Sequence, residues 1–416
     1  MRNSPFWLVL IGLMVLLDFY VFQALKVVTF QVSPKARTII FIVYWSLSIL
    51  ALLILLLLPV LNLEKYSPAL RSIVFAVVIA LFFGKLITAL FLLIDDMRRL
   101  IQWASGKIFF SNTEGEQIQE GDGISRSVFL SWLGLAAGGG LFGSLIYGFS
   151  NKYNYQVKKV PLTFPNLPAA FRGMKIVQIS DVHSGSFTDK VAVEKGIQKI
   201  LSLQPDMILF TGDLVNNKAE EMQPFKDLFS QLKAPLGVFS VLGNHDYGDY
   251  VQWENRQQRD QNLADLKNTH AQMGWKLLLN EHVIVEKDGD KMAVLGVENW
   301  SAKARFPKYG KLQQAYTGSD VAPFKLLMSH DPSHWEAEVL TNHKDIDLML
   351  SGHTHGMQFG VEIPWLKWSP VQYVYKQWAG LYKKDHQRLY VNRGFGFIGY
   401  PGRVGILPEI TLLELT

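Results

Sequence analysis

Four long apolar stretches in the first 150 residues constrain the fold of this chain more than any other feature. A helix needs roughly 20 apolar residues to cross the hydrocarbon core of a bilayer, and each stretch reaches that length. Residues 47–58 have no polar face, which a buried helix of a soluble bundle would show. We therefore predict a transmembrane region over residues 1–150, with four helices at about Phe6–Val28, Ile39–Leu61, Leu70–Ile94 and Val128–Phe149.

Two ionisable residues lie in the interior of these stretches, away from their ends: Asp18 in the first and Lys85 in the third. Charged side chains inside a bilayer are costly unless they pair or reach water. The first and third helices run in the same direction, so the two charges lie at similar depths and can form a buried ion pair. Separate snorkelling toward the membrane surface is the alternative, and a proton or ion path is a third interpretation.

The side of the membrane on which the rest of the chain lies is less constrained. The Lys and Arg residues of the short loops divide almost equally between the two sides, so the positive-inside rule does not decide the orientation. The hexamer Ser125–Leu130 precedes an apolar run and resembles a twin-arginine export signal in which Ser127 replaces the second arginine. We therefore expect a multi-pass protein of the cell (inner) membrane with an extracytoplasmic C-terminal domain.

Composition excludes several other classes of function. The chain has no cysteine, which excludes a disulfide scaffold, a thiolate nucleophile and Cys-ligated metal centres. Its net charge is +5 without a block of Lys or Arg, so we expect no nucleic-acid partner. The lipid bilayer is the expected partner, and the oligomeric state stays open.

The remaining chain has the pattern of one α/β domain. Short β-rich runs alternate with helical patterns from about residue 168 to residue 416, and residues 151–167 are the predicted linker. Five of the predicted strands end in related polar clusters: D-V-H at 181–183, G-D at 212–213, G-N-H-D at 243–246, S-H-D at 329–331 and G-H-T-H-G at 352–356.

These clusters indicate a metal centre. The C-terminal ends of buried strands in α/β sheets are the usual place for a site, so the five clusters should converge. Carboxylate, amide and imidazole ligands suit divalent ions such as Mn²⁺, Fe²⁺ or Zn²⁺. The glycines at 212, 243, 352 and 356 permit the tight turns that such a site needs.

The order of the five clusters resembles that of the calcineurin-like metallophosphoesterase superfamily. The tail N-R-G-F-G at 392–396, with Pro401, Arg403, Pro408 and Glu409, further resembles its bacterial membrane-associated branch, which carries an N-terminal multi-helix transmembrane region. The resemblance implies a four-layer α/β/β/α sandwich with two divalent metal ions. It implies seven ligands, which form a first site, a second site and a bridge: Asp181, His183 and His355; Asn244, His330 and His353; and Asp213.

The resemblance also implies two catalytic residues. His245 should donate a proton to the leaving oxygen or stabilise the transition state. Asp246 should orient the His245 ring, with simple loop capping as its alternative role. Among neighbouring histidines, His330 is preferred over His334 as a ligand because it closely follows a predicted strand. Two positions depart from the family pattern: Asn216 stands where relatives often have an acidic residue, and Met357 replaces a glycine.

An aromatic and basic segment follows the last histidine cluster. Trp and Tyr favour membrane interfaces and Lys attracts anionic headgroups, so a lipid contact is one interpretation and core packing is the other. The residues concerned are Trp365, Lys367, Trp368, Tyr373, Tyr375, Lys376, Trp378, Tyr382 and Lys383.

The sequence therefore predicts a membrane-anchored, metal-dependent phosphohydrolase. Its substrate should be a phosphoester or pyrophosphate on a lipid or lipid-linked molecule. The alternatives are a pyrophosphatase acting on a UDP-acylated glucosamine at the cytoplasmic face, and a non-enzymatic membrane scaffold or sensor.

Overall fold

The computed structural model describes residues 5–57, 68–109 and 126–416. The chain forms two compact units, and the boundary between them falls after Tyr147. The N-terminal unit is helical, whereas the C-terminal unit contains the β-sheets.

The described part of the N-terminal unit has four helices long and apolar enough to cross a membrane. Three of them begin at proline, whose fixed φ and missing N–H suit the first helical turn. The predicted end of the second stretch, residues 58–61, and Ser125 lie outside the described residues. The helices are α1 (Pro5–Val28), α2 (Pro34–Leu57), α3 (Pro68–Phe109) and α4 (Arg126–Gly148).

The buried ion pair predicted within this unit is confirmed. Lys85 on α3 forms a salt bridge with Asp18 on α1, and both residues are buried. The Lys85 ammonium also donates to Ser48 Oγ on α2 at 2.9 Å, and Tyr44 on α2 donates its hydroxyl to the Asp18 carbonyl at 2.7 Å. The two charges therefore neutralise each other and connect three helices, in place of snorkelling separately.

The described residues of the C-terminal unit form two six-stranded sheets and a separate hairpin. The first sheet has the order β1-β14-β2-β3-β4-β5, the second has the order β12-β13-β9-β8-β7-β6, and β10 pairs with β11. The strands are β1 (Gln156–Leu162), β2 (Lys175–Ile179), β3 (Met207–Phe210), β4 (Val238–Ser240), β5 (Lys276–Leu277), β6 (Glu281–Lys287), β7 (Asp290–Gly296), β8 (Phe324–Met328), β9 (Leu348–Ser351), β10 (Val361–Ile363), β11 (Leu366–Trp368), β12 (Gly380–Lys384), β13 (Gln387–Val391) and β14 (Glu409–Leu415).

Five α-helices belong to this unit. The Asp189 carboxylate begins the first of them by accepting from the backbone N–H of Ala192 at 3.0 Å. A π-helical turn, Trp335–Val339, leads into the last. The helices are α5 (Lys190–Ser202), α6 (Lys226–Phe229), α7 (Arg256–Gln272), α8 (Leu312–Tyr316) and α9 (Leu340–Asn342).

Strand alternation divides the apolar side chains among three layers of core. In β3, Met207 and Leu209 face the other sheet, whereas Ile208 and Phe210 pack toward α5 and α7. The second sheet repeats this arrangement, with Leu327 on its outer face among residues of α8. Because side chains alternate along a strand, each sheet buries both of its faces. The predicted four-layer α/β/β/α sandwich, preceded by a four-helix transmembrane region, is confirmed.

The structure differs from the prediction of a linker over residues 151–167. Residues 156–162 form β1, which pairs in parallel with β14 at the edge of the first sheet. Its Lys158, Lys159 and Pro161 have the character of a loop in the sequence. Lysine and proline are also the residues that edge strands carry, because an edge has one unpaired side.

The parallel strands set the position of the polar clusters. β2, β3 and β4 are parallel in the first sheet, and β7, β8, β9 and β13 are parallel in the second. The clusters at 181–183, 212–213 and 243–246 follow three strands of one sheet. Those at 329–331 and 352–356 follow two strands of the other. All five therefore extend from the C-terminal ends of strands.

Candidate metal centre

The structure brings the seven predicted ligands together in two adjoining groups. The first group consists of Asp181, His183 and His355. His183 Nε2 and His355 Nε2 are 3.1 Å apart, and His355 Nε2 lies 3.2 Å from Asp181 Oδ1. All three side chains are buried.

The second group contains Asp213, His330 and His353, with Asn244 beside them. His353 Nδ1 lies 2.8 Å from Asn244 Oδ1 and 3.3 Å from His330 Nε2. The Asn244 amide nitrogen donates to the Tyr250 hydroxyl at 2.9 Å, which directs the amide oxygen into the group. His334 is bonded to Ser329 and Glu338 and belongs to neither group.

Asp213 connects the two groups. Its Oδ2 atom lies 3.1 Å from His330 Nε2 and 3.6 Å from His183 Nε2. Its Oδ1 atom accepts from the backbone N–H of His245 at 2.8 Å. A Cβ at Gly243 would overlap that carboxylate, so only glycine allows this approach.

The spacing and the protonation pattern of these atoms fit divalent metals. Ligand atoms bound to one ion at about 2.0–2.2 Å lie about 3 Å from one another, as the nitrogen and oxygen atoms of both groups do. His330 Nδ1 donates to the Thr211 carbonyl at 2.8 Å, which leaves the lone pair of Nε2 facing Asp213. Lone pairs that face each other in a buried site repel unless a proton or a metal ion lies between them.

The pKa shifts at the site also indicate that its carboxylates favour a nearby positive charge. Burial alone would raise the pKa of Asp181, but the His355 and His330 imidazoles together hold that pKa below its ordinary value. Burial would likewise lower the pKa of His330, yet the Asp213 carboxylate raises it to about 10. Both carboxylates thus attract a cation into a buried space.

The backbone at the site is strained. Asp181, His183, Asp213, His353 and His355 all have positive φ, between 48° and 71°. This conformation costs a non-glycine residue roughly 1–2 kcal/mol and occurs where surrounding structure enforces it, often at functional sites. The tight turns after the strands therefore point these side chains toward one another.

The described hydrogen bonds of the Asp246 carboxylate go to the backbone of two turns of the site. Its fully buried carboxylate accepts from the backbone N–H groups of Asp213, Gly243, Leu214 and Val215, at 2.9, 2.9, 2.8 and 3.3 Å. Asp246 therefore joins the turn after β3 to the turn after β4. This corresponds to the loop-capping alternative.

The His245 ring is oriented by a backbone carbonyl. His245 Nδ1 donates to the Asn216 carbonyl oxygen at 2.8 Å. The Asn216 N–H in turn donates to the Glu221 carboxylate at 2.6 Å, which fixes the turn. His245 is only half-buried, and its Nε2 is the nitrogen left to exchange a proton with a bound molecule.

Tyr375 and Asp331 support His353, and sequence reasoning missed this role. The Tyr375 hydroxyl donates to Asp331 Oδ2 at 3.1 Å and lies 2.9 Å from His353 Nε2. With Nε2–H bonded to the tyrosine oxygen, the lone pair of His353 Nδ1 faces Asn244 and His330. Asp331 follows the predicted ligand His330 directly in the sequence, and this position could have indicated a supporting role. Tyr375 lies 22 residues from His353 and gives no local signal.

Tyr375→Phe is expected to weaken metal binding at the second group by roughly 10- to 100-fold, because outer partners fix the tautomer and orientation of a ligand imidazole. Metal content measured against a competing chelator in the full chain would show this effect. Tyr373→Phe is the matched control, since its side chain is exposed. Equal metal affinity of the two variants would contradict the role of Tyr375.

Arg403, in the tail motif, supports the first group. It is fully buried, and its guanidinium donates to the carbonyls of Arg393 at 2.7 Å and His355 at 3.3 Å. Arg393 pairs in turn with the buried Glu409. The tail thus braces the turn that carries His355.

The aromatic segment after residue 357 divides between the two predicted interpretations. Tyr375 and Trp378 are buried, and Trp378 packs with Ile406. Trp365 and Tyr373 are strongly exposed. Core packing therefore accounts for the first two, whereas Trp365 and Tyr373 are the aromatic side chains of this segment most available to an external partner.

Two family models match the chain. The model "Calcineurin-like phosphoesterase" matches residues 174–357, and the model "Probable Calcineurin-like phosphoesterase, transmembrane domain" matches residues 1–152. The first therefore covers all five polar clusters, and the second covers all four membrane helices.

Curated relatives agree with these models. The uncharacterized metallophosphoesterase YkuE of Bacillus subtilis is 30% identical over 303 residues, which is 70% of this chain and 98% of YkuE. The UDP-2,3-diacylglucosamine pyrophosphatase LpxG of Chlamydia muridarum is 29% identical over 286 residues, covering 56% of this chain and 80% of LpxG. A transmembrane protein with metallophosphoesterase domain from Danio rerio is 28% identical over 280 residues, covering 65% of this chain. The match spans 60% of that fish protein's length. The chain therefore belongs to the calcineurin-like metallophosphoesterase family, as a member with an N-terminal four-helix membrane region.

Proposed function

We propose that this protein is a membrane-anchored hydrolase that cleaves phosphoester or pyrophosphate bonds with two divalent metal ions, of Mn, Fe or Zn. In this proposal one ion is bound by the first group and the other by the second, with Asp213 between them. His245 is the proton donor, and Asp246 holds the turns. The ligands are Asp181, His183, His355, Asn244, His330, His353 and Asp213.

The position of Asp213 Oδ2 carries this proposal. A single oxygen atom lies within 3.6 Å of one imidazole from each group. One carboxylate shared by two adjacent sets of ligands would suit two ions bound side by side, the arrangement in which two metals act on one phosphoryl group.

Each component has a defined part in the reaction. When bound, the metal ions would polarise phosphoryl oxygens and lower the pKa of a water molecule. The water oxygen forms a bond to phosphorus while the bond to the leaving oxygen breaks. His245 supplies the proton that the leaving oxygen takes up, and the Asn216 carbonyl keeps the ring aligned for that transfer. No covalent intermediate with the protein is required.

A basic and aromatic loop beside the second group supports an anionic substrate. The Phe306 ring lies 4.7 Å from the His353 ring in an edge-on arrangement, and Lys303 Nζ lies 5.4 Å from the Tyr375 ring. Arg305 lies between them in the sequence. Cations at this position can neutralise phosphate oxygens outside the metal ligands.

A lipid or lipid-linked substrate is supported by the membrane helices and by the similarity to LpxG. We place the catalytic unit on the extracytoplasmic side of the cell (inner) membrane, on the evidence of the export-signal-like hexamer at 125–130. The second candidate is cleavage of a UDP-acylated glucosamine on the cytoplasmic side, which two LpxG relatives favour.

Hydrolysis by the full chain in nanodiscs would test this proposal. We expect turnover of bis(p-nitrophenyl) phosphate or of a lipid-linked pyrophosphate, abolished by EDTA and restored by Mn²⁺ or Zn²⁺. Absence of metal-dependent turnover with diester, monoester and pyrophosphate substrates would overturn it. A compartment-sensitive reporter fused after Thr416 distinguishes the candidates, because a cytoplasmic signal would favour the nucleotide-linked lipid.

A further inference from the structure

The exposed apolar surface of the C-terminal unit is concentrated in one short segment. Eleven large apolar side chains of this unit are exposed, and six of them lie within residues 361–374. Water-exposed surfaces usually carry such side chains singly, and a contiguous group marks a contact site. The six residues, named here the hairpin patch, are Val361, Ile363, Trp365, Leu366, Tyr373 and Val374.

The most exposed members of the hairpin patch are aromatic. Trp365 lies between the paired strands β10 and β11 and is 80% exposed, and Tyr373 is 78% exposed. The Trp368 indole N–H donates to the Tyr373 hydroxyl at 3.4 Å, which places Tyr373 beside the hairpin. This bond joins Tyr373 to β11, the strand that directly follows Trp365.

The hairpin has a firmly fixed base. An isolated two-stranded hairpin is marginally stable in water, but Glu362 in β10 pairs with the buried Arg393. The Gly360 N–H donates to the Val404 carbonyl at 2.9 Å, and Ser369 Oγ donates to the Gly356 carbonyl at 2.8 Å. Because the ends of the hairpin are fixed, its exposed tip can contact a partner without first becoming ordered.

The base of the hairpin patch also adjoins the metal centre. Gly356, which Ser369 holds, directly follows the predicted ligand His355. Tyr375, one residue beyond the patch, has its hydroxyl 2.9 Å from His353 Nε2. The base of the hairpin patch is therefore joined to the segment that carries the predicted ligands His353 and His355.

The charge around the hairpin patch favours an anionic partner. Residues 357–384 contain four lysines, Lys367, Lys376, Lys383 and Lys384, and a single acidic residue, Glu362. The carboxylate of Glu362 pairs with Arg393. Among the lysines, Lys376 pairs with Glu336 at 3.5 Å and Lys367 donates to the Ala379 carbonyl, so the exposed Lys383 and Lys384 supply the positive charge without a described partner. Trp, Tyr and neighbouring Lys form the combination that binds the headgroup region of anionic bilayers.

The course of the chain favours the bilayer over other partners. The membrane helix α4 ends at Gly148, and β1 begins at Gln156. The C-terminal unit is therefore connected within eight residues to a helix that can span a membrane, so a lipid surface is always within reach of it.

We propose that the hairpin patch inserts into the headgroup region of the bilayer and holds the metal centre at the lipid surface. The benefit of this contact for catalysis rests on the proposed lipid-linked substrate. The contact between the hairpin patch and the bilayer does not itself depend on hydrolysis. Trp365 and Tyr373 occupy the interface, and Lys383 and Lys384 contact anionic headgroups. A phosphate on a lipid would then reach the ions without leaving the membrane.

A single fluorescent label tests this proposal cleanly, because the chain has no native cysteine. Trp365→Cys is labelled with an environment-sensitive dye in the full chain, in nanodiscs of phosphatidylcholine and phosphatidylglycerol. We expect a blue-shifted emission that nitroxide-bearing lipid quenches and aqueous iodide does not. Tyr373→Cys serves as a second label site where the first variant fails to fold.

Val321→Cys is the matched control, because Val321 is 61% exposed and lies outside the hairpin patch. Its label should be quenched by iodide and not by the lipid nitroxide. Iodide quenching at residue 365, protection from both quenchers by a second copy or another protein, or equal lipid quenching at 365 and 321 would each overturn the proposal. Hydrolysis of a soluble phosphodiester is measured separately, so failure of the proposed activity is distinguishable from failure of this contact.

Discussion

Replacing Asp213 by asparagine is expected to lower the rate of phosphoester hydrolysis by more than roughly 100-fold. Loss of a residue that only supports a metal ligand costs up to about 100-fold, and Asp213 is itself a proposed ligand. Asp213 Oδ2 faces His330 and His183, one from each group. The amide has the same shape but no negative charge, and its NH₂ group can donate where a metal ligand must have a lone pair. The bound metal per chain should therefore fall together with activity.

Metal analysis and steady-state kinetics on the full chain in detergent would measure both effects. Asp260→Asn is the matched control, because Asp260 is exposed on α7 and pairs only with Arg256 among its described contacts. The control should retain metal and activity. An Asp213→Asn variant with full metal content and activity within about tenfold of the native chain would show that Asp213 is not a shared ligand.

The catalytic motifs were predictable because each is local. A carboxylate or imidazole next to glycine at the end of an apolar strand places its side chain at the sheet edge, whichever helices lie between. His330 was preferred over His334 because it closely follows a predicted strand. Of these two histidines, the structure places His330 in a group that could hold a metal.

The contacts that support these motifs were less predictable because they join distant segments. Asp246 stands next to His245 in the sequence, but it bonds to backbone N–H groups 31 to 33 residues earlier. Tyr375 lies among several aromatic residues, and only the fold shows that its hydroxyl reaches His353 while Tyr373 stays exposed. Strand β1 was missed because its lysines and proline suit both an edge strand and a linker.

The multiple hydrogen bonds of Asp246 predict a large loss of stability in Asp246→Ala. The substitution leaves four backbone N–H groups without their acceptor in the buried region between the turns after β3 and β4. A buried donor without a partner costs about 1–3 kcal/mol, so even the low end gives about 4 kcal/mol for the four groups. Denaturant unfolding of the full chain in micelles would report the loss.

Hydrogen exchange separates this effect from general unfolding. In Asp246→Ala, the amides of residues 213–215 and 243 should lose protection before those of the central strands β2 and β8, because the turns lose their shared acceptor while the sheets keep their own bonds. Asp260→Ala, on the exposed face of α7, should change neither stability nor exchange. A loss below about 1 kcal/mol in Asp246→Ala, with the turns still protected, would mean that water replaces the carboxylate at little cost. That outcome would contradict the loop-capping role and favour the predicted alternative, in which Asp246 orients the His245 ring.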